Sequence, residues 1–229
     1  MAARAATRRE RYRHDTLEEA KRLAFTQLAD RGPGGLSLNA IAREMGMTGP
    51  ALYRYVGSRD DLITKLVLDT YHDLGDALWR AVRQSEGQPP PARVRAVGIA
   101  YREWSVANPQ HYLLILGTPV PGYRAPGDRT TAAAQHGLAA LMTVVAELTP
   151  TPLPSSNGEI DQECERWAER VGAPALPGRL LRFTITAWTR LHGVMSLEIA
   201  GHFDPVLPDG ALIYEAELDD ILRPWEGDG

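Results

Sequence analysis

Residues 37 to 56 read Ser37-Leu-Asn-Ala-Ile-Ala-Arg-Glu-Met-Gly-Met-Thr-Gly-Pro-Ala-Leu-Tyr-Arg-Tyr-Val56. Leu38, Ile41, Ala42 and Met45 fall at i, i+3, i+4 and i+7, one apolar stripe on an amphipathic helix. Ser37 stands where its hydroxyl can accept a bond from an unpaired N–H of the first turn. Asn39, Arg43 and Glu44 face away from the stripe. Gly46 follows, and a glycine in the left-handed region ends a helix without a Cβ clash. Met47 can pack into the angle between two helices, and Thr48 can cap the second. Gly49 and Pro50 enter its first turn, where the N–H that proline lacks would have had no partner. Ala51 and Leu52 face inward or sit close to the partner helix. Thr48, Gly49, Pro50, Tyr53, Arg54 and Tyr55 are left near an exposed end. Small residues there admit close approach, hydroxyls and N–H groups bond phosphate, and apolar groups meet thymine methyls. The spacing alone fits an ordinary helical hairpin in an all-α core equally well; the Tyr53-Arg54-Tyr55 end favours a DNA groove.

Upstream, Leu17, Ala20, Leu23, Ala24, Phe25 and Leu28 predict an amphipathic helix over 16–31, with Asp15 as its cap and Gly32-Pro33-Gly34-Gly35 as its breaker. Three helices therefore precede residue 57, the minimum for a helix-turn-helix domain with its own small core.

Residues 13 to 69 resemble the DNA-binding domain of the TetR family of bacterial transcriptional regulators. The resemblance is carried by Ala20-Xaa-Xaa-Leu23-Ala24-Phe25, Ser37, Ile41-Ala42, Met45-Gly46-Met47-Thr48, Leu52-Tyr53-Arg54-Tyr55 and Ser58-Arg59-Asp60-Asp61-Leu62. Val56 stands where the family usually has Phe, which implies a thinner hydrophobic plug, and Arg59 where it usually has Lys, which keeps the cation. The resemblance implies that Ser37, Thr48, Tyr53, Tyr55 and Arg59 anchor phosphates. It also implies that Gly49, Pro50, Ala51 and Arg54 lie on or beside the groove face and help read bases. A second stretch, Trp188-Thr-Arg-Leu-His192-Gly193, resembles the Trp-His-Gly signature of one C-terminal subclass of the family and names no inducer. The expected organisation is a basic arm at 1–13, a helix-turn-helix domain at 14–62, and a helical regulatory and dimerisation domain at 63–229.

Composition agrees with that division. The chain has 229 residues, 44% of them hydrophobic, enough for one modest domain and one small one. Its single cysteine, Cys164, cannot form an internal disulfide, so a reducing compartment is the default. No apolar run approaches the ~18–20 residues that span a bilayer. The Arg-rich start runs into a polar helix without the apolar stretch of a secretory signal. A cytoplasmic protein with no membrane partner is expected. The net charge of −4 is unevenly spread: residues 1–65 hold twelve Lys/Arg against eight Asp/Glu, and the remainder thirteen against twenty-one. Arg4, Arg8, Arg9, Arg11 and Arg13 concentrate the basic excess, as in a chain whose one end faces DNA. That segment reads either as a solvated tail or as an arm adding phosphate or minor-groove contacts.

The rest of the chain reads as helices with Gly- and Pro-rich breaks and no strand-like alternation. A long helix runs from Ser58 or Arg59 to about Arg83, then helices cover about 92–107, 109–116, 128–148, 159–171, 179–200 and 210–222. Loops are predicted at 117–127 and 149–158. Leu180, Leu181, Phe183, Ile185, Trp188, Leu191, Val194, Met195, Leu197 and Ile199 make helix 179–200 apolar on most of its circumference, so it needs cover on more than one side. It is either the buried centre of a monomer or a helix shared between a core and a dimer interface. The resemblance implies the second, with 179–200 and 210–222 of two copies forming a four-helix bundle that holds two recognition helices on a palindromic double-stranded operator.

Trp79, Tyr101, Trp104, His111, Tyr112, Met142, Phe183, Trp188 and His192 lie on predicted inner faces of the later helices. Apolar walls with a few polar groups describe a small-molecule site; for any one of these residues an ordinary core position is the stronger reading. No Gly-Xaa-Ser-Xaa-Gly, Walker or His-Glu-Xaa-Xaa-His motif is present, and the six His and one Cys lack ligand spacing, so no catalysis, metal or cofactor is expected. The sequence points to an all-α, DNA-binding regulator, and the resemblance implies a ligand-responsive repressor released by a small-molecule effector. The alternatives are an activator of the same fold, or a ligand-binding protein that binds DNA without specificity.

Overall fold

The computed structural model describes residues 7–148, 158–173, 176–207 and 209–225. Within them are ten α-helices and no strand. They are α1 (Arg8–Arg31), α2 (Leu38–Glu44), α3 (Gly49–Leu52), α4 (Arg59–Gln84), α5 (Pro90–Ala107), α6 (Pro109–Leu116), α7 (Gly127–Val145), α8 (Gly158–Val171), α9 (Gly178–Ile199) and α10 (Ala211–Leu222). The predicted all-α class and helix order stand. The loop expected at 149–158 and Arg4 of the basic arm lie outside the described residues, apart from Gly158, which opens α8.

The start of the first helix differs from expectation. Asp15 does not cap it. Thr7 does, through a capping box in which its hydroxyl accepts the Glu10 N–H while the Glu10 carboxylate accepts the Thr7 N–H. Two orphan donors are thereby satisfied at once, and from Arg8 onward the basic arm is helix. Periodicity missed this because those turns bury nothing: the first buried side chain of α1 is Thr16.

Packing divides the chain into two compact units. The first comprises residues through Thr70 together with Gln110–Thr130. Its core joins Ala20 and Ala24 of α1 to Ile41, Leu52, Val56, Leu62, Ile63 and Leu66, all without solvent exposure. Val56, the smaller plug, is fully enclosed. The chain from α6 onward adds Tyr112 and Val120 to the buried set. The His111 ring stacks on Phe25 at 3.9 Å between centroids, and the Tyr123 hydroxyl lies 3.1 Å from Thr64 Oγ1.

The second unit comprises Tyr71–Pro109 and residues from Thr131 onward. In it α9 packs on α8, α10 and α5, and buries Leu180, Leu181, Thr184, Ala187, Leu191 and Met195. Its opposite side is open: Ile185 and Leu197 are each more than a third exposed there, while the exposed Trp188 lies at the edge of the packed face. Within one chain, then, α9 is not a fully enclosed central helix. The Tyr214 hydroxyl of α10 donates to the Gly98 carbonyl of α5 at 2.7 Å, a polar tie inside an apolar contact.

Candidate nucleic-acid interface

The geometry of the reading segment is made almost wholly by local bonds. Ser37 caps α2 by accepting the Ala40 N–H at 3.3 Å, and its own N–H donates to the Gln27 side-chain carbonyl of α1 at 2.9 Å. Gln27 is 3% exposed and fixes where α2 begins. The helix ends in a Schellman motif: Met47 N–H bonds the Ala42 carbonyl, Gly46 N–H bonds the Arg43 carbonyl, and Gly46 takes φ 65°. That left-handed residue satisfies the last carbonyls and sets the turn.

The second helix is a single turn. Thr48 holds its N-cap position in extended backbone, yet its side chain makes no capping bond, so the hydroxyl is left for other partners. Pro50 is the second residue of the turn, and Leu52 is the side chain that buries it. Gly49 lies against the Asn39 side chain of α2: a Cβ there would lie 2.7 Å from its Oδ1. A side chain there would displace the exposed Asn39 amide from its present position.

Beyond α3, Tyr53 and Arg54 are exposed, whereas Tyr55 is half-buried. The Arg13 guanidinium of α1 lies 5.8 Å from the Tyr55 ring centroid, within cation–π range. The structure thus brings Thr48, Pro50, Tyr53 and Arg54 to one solvent-facing end, with Ala51 and Tyr55 at its edge. Ser37 contributes as the cap that holds α2.

Arg59 is tied into the fold more than expected. Its Nε donates to the Leu36 carbonyl at 3.3 Å and its guanidinium lies 3.6 Å from the Asp60 carboxylate. Next to it, Ser58 caps α4 by accepting the Asp61 N–H, while Asp61 accepts the Gly57 N–H and the Lys65 ammonium. Partial burial pushes the Asp61 carboxyl up, but the Lys65 and Gly57 bonds outweigh it and hold the group below the usual carboxylate range. Sequence reasoning missed Gln27 and the Arg13–Tyr55 contact; the polar residue inside the Leu23-Ala24-Gln27-Leu28 face was the available signal for the first.

The nine effector candidates do not all share one site. His111 and Tyr112 belong to the first unit. In the second, Tyr101, Trp188 and His192 come together: the Trp188 and His192 rings stack at 5.1 Å, and the Tyr101 hydroxyl is 3.4 Å from His192 Nδ1. Burial pushes the His192 imidazole below the ordinary histidine range. Trp79 donates to the His136 carbonyl, Trp104 to the Asp73 carboxylate, and Phe183 meets Trp225 edge to face. Met142 sits with Cys164, Ala168 and Leu181. Trp104 lines a recess of about 250 Å³ with Ala77, Arg80, Ala81, Gln84, Ala100 and Glu103. Phe183 lines another of about 180 Å³ between α9 and residues 220–225. Both fall below the ~300–1,000 Å³ usual for ligand pockets.

Residues 22–66 match the model described as "Bacterial regulatory proteins, tetR family", and residues 94–221 match "Tetracyclin repressor-like, C-terminal domain". The second match spans the Trp188–Gly193 stretch without assigning its subclass. An HTH-type transcriptional regulator of Mycobacterium tuberculosis, Rv1816, is 36% identical over 208 residues, 85% of this chain and 86% of the relative. SCO4313, a protein described as regulatory and known from a crystal structure, is 43% identical with a TM-score of 0.81, covering 95% of this chain and 100% of that one. A TetR family transcriptional regulator of Thermus thermophilus, PfmR, shares the fold at a TM-score of 0.58 and 19% identity, over 92% of this chain and 98% of that one.

Proposed function

The chain belongs to the TetR family of transcriptional regulators and is a DNA-binding regulator; on that premise we propose that it is a sequence-specific repressor released from a palindromic operator by a small-molecule effector. The observation that carries specificity is the solvent-facing end of the α2–α3 hairpin, where Arg54 and Tyr53 stand exposed beside the Thr48 hydroxyl that caps nothing. An exposed guanidinium next to a helix end is suited to base edges, and hydroxyls beside it to phosphates.

A single copy of so short a reader makes few base contacts. Two copies related by a two-fold axis read two half-sites about 34 Å apart. The open side of α9 supplies the surface for that pairing: Ile185 and Leu197 are exposed there, and a Cβ at Gly193 would meet nothing within 4 Å, which leaves room for a partner helix. Release requires an effector that prefers the off-DNA state by roughly 10⁴-fold, near 5.5 kcal/mol. No helix among the described residues is long and apolar enough to cross a membrane, and the cytoplasm is the compartment this reading implies.

Selection of bound duplexes from a random pool, followed by footprinting, tests the proposal. The expected product is a two-fold symmetric site with strong discrimination against unrelated DNA. Equal affinity for all sequences would refute operator recognition.

A further inference from the structure

The first two turns of α1 form a basic helix that buries none of its side chains. Every residue from Thr7 to Asp15 is exposed, and the capping box at Thr7 and Glu10 shows that the helix begins there. At about 100° per residue, Arg8, Arg9, Arg11 and Arg13 fall within an arc of about 200° centred on Tyr12, with Glu10 on the opposite side. Tyr12 is 63% exposed. Glu10 is held back on the Thr7 N–H at 2.6 Å, and Asp15 closes the basic face at its inner end. One edge of this face is continuous with the reading segment, because Arg13 lies over the Tyr55 ring.

We propose that this overhang is a second DNA-binding element, a rigid helical face that tracks phosphates alongside the operator half-site read by α3. The inference rests on the operator-binding reading above. Its helical state decides the mode of contact. An α-helix with side chains is about 10–12 Å across, whereas the minor groove of B-DNA is about 6 Å wide. The overhang therefore cannot thread the minor groove as an extended arm would. Its arginines contact phosphates from outside, which adds affinity and salt dependence but no base preference.

The test compares the full-length wild type with R8A/R9A/R11A and with R8K/R9K/R11K. The probes are the selected operator duplex and a random-sequence duplex, each titrated across salt concentrations. All three positions are exposed, and matching melting curves confirm that the fold is retained. The alanine variant is expected to lower the slope of log affinity against log salt by at least about 2, since each lost phosphate contact is worth about 0.9. It should weaken both duplexes by similar factors, and the lysine variant should restore the slope. An unchanged slope, or a loss confined to one flanking sequence, overturns the proposal. A wild type that binds both duplexes alike refutes the operator reading instead, and the slope difference on random DNA then still decides the role of the overhang.

Discussion

The α2–α3 hairpin and the exposed side of α9 are both short helical surfaces with aromatic and small residues at regular spacing, yet they came from the sequence with different clarity. In the hairpin, most shaping bonds connect residues within five positions of one another: Ser37 to Ala40, Met47 to Ala42, Gly46 to Arg43. Identity and spacing along the chain are then enough to define the geometry. On α9, whether Trp188 or Leu197 faces a core, a pocket or a partner depends on which other helices arrive, and α5, α8 and α10 come from as far as residues 90 and 222. Local bonds make a site legible; packing between distant elements hides it.

The strongest way to break the comparison is to charge the open side of α9. I185E with L197E is expected to yield monomers in sedimentation and to cut operator affinity by about 10³-fold or more, toward the non-specific level. A variant that remains dimeric and bound would move the two-fold contact elsewhere.

Within the hairpin, Arg54 and Arg59 should separate. R54A is expected to cost about 1–3 kcal/mol on the selected site and to relax preference at one base position, with no change in melting temperature. R59A should weaken all duplexes, lower the salt slope by about 1, and also lower the melting temperature, because the bond to the Leu36 carbonyl is lost. Equal effects of the two in both assays would erase the distinction between an exposed reader and a tied anchor.

S37A probes the local geometry directly. Loss of the α2 cap is expected to cost about 0.5–2 kcal/mol of stability by denaturant titration. A larger loss would show that the Gln27 contact depends on the hydroxyl as well.

The smallest effect concerns pH. Burial lowers the His192 pKa from its ordinary 6.5. The unfolded chain therefore takes up the proton more readily than the folded one. Stability is full above the unfolded value and falls as pH drops from 6.5 through the lower folded value. H192Q should flatten the stability profile in that window, and an unchanged profile would mean that the imidazole charges without cost.

Particular residues show where the sequence stopped. Gly46, Ser37 and the apolar stripe of α2 were readable because capping and periodicity act along the chain. The basic arm was not: Arg8 to Arg13 bury nothing, so no periodic signal marked them as helix, and Thr7–Glu10 alone carries the information. Arg59 was readable as a cation, but its partner carbonyl on Leu36 lies twenty-three positions away. The effector candidates were readable as aromatic and apolar, yet that chemistry is shared by cores and pockets alike.

By itself the amino-acid order determined the all-α class, the helix sequence and the reading hairpin, because each follows from hydrogen bonds and spacing within a few residues. Tertiary structure alone decided that 110–130 packs with the DNA-binding unit, that Gln27 fixes the start of α2, that Arg13 reaches Tyr55, and that α9 keeps one side open. Each of these joins groups distant in sequence, where chain spacing carries no information and burial settles which surfaces meet.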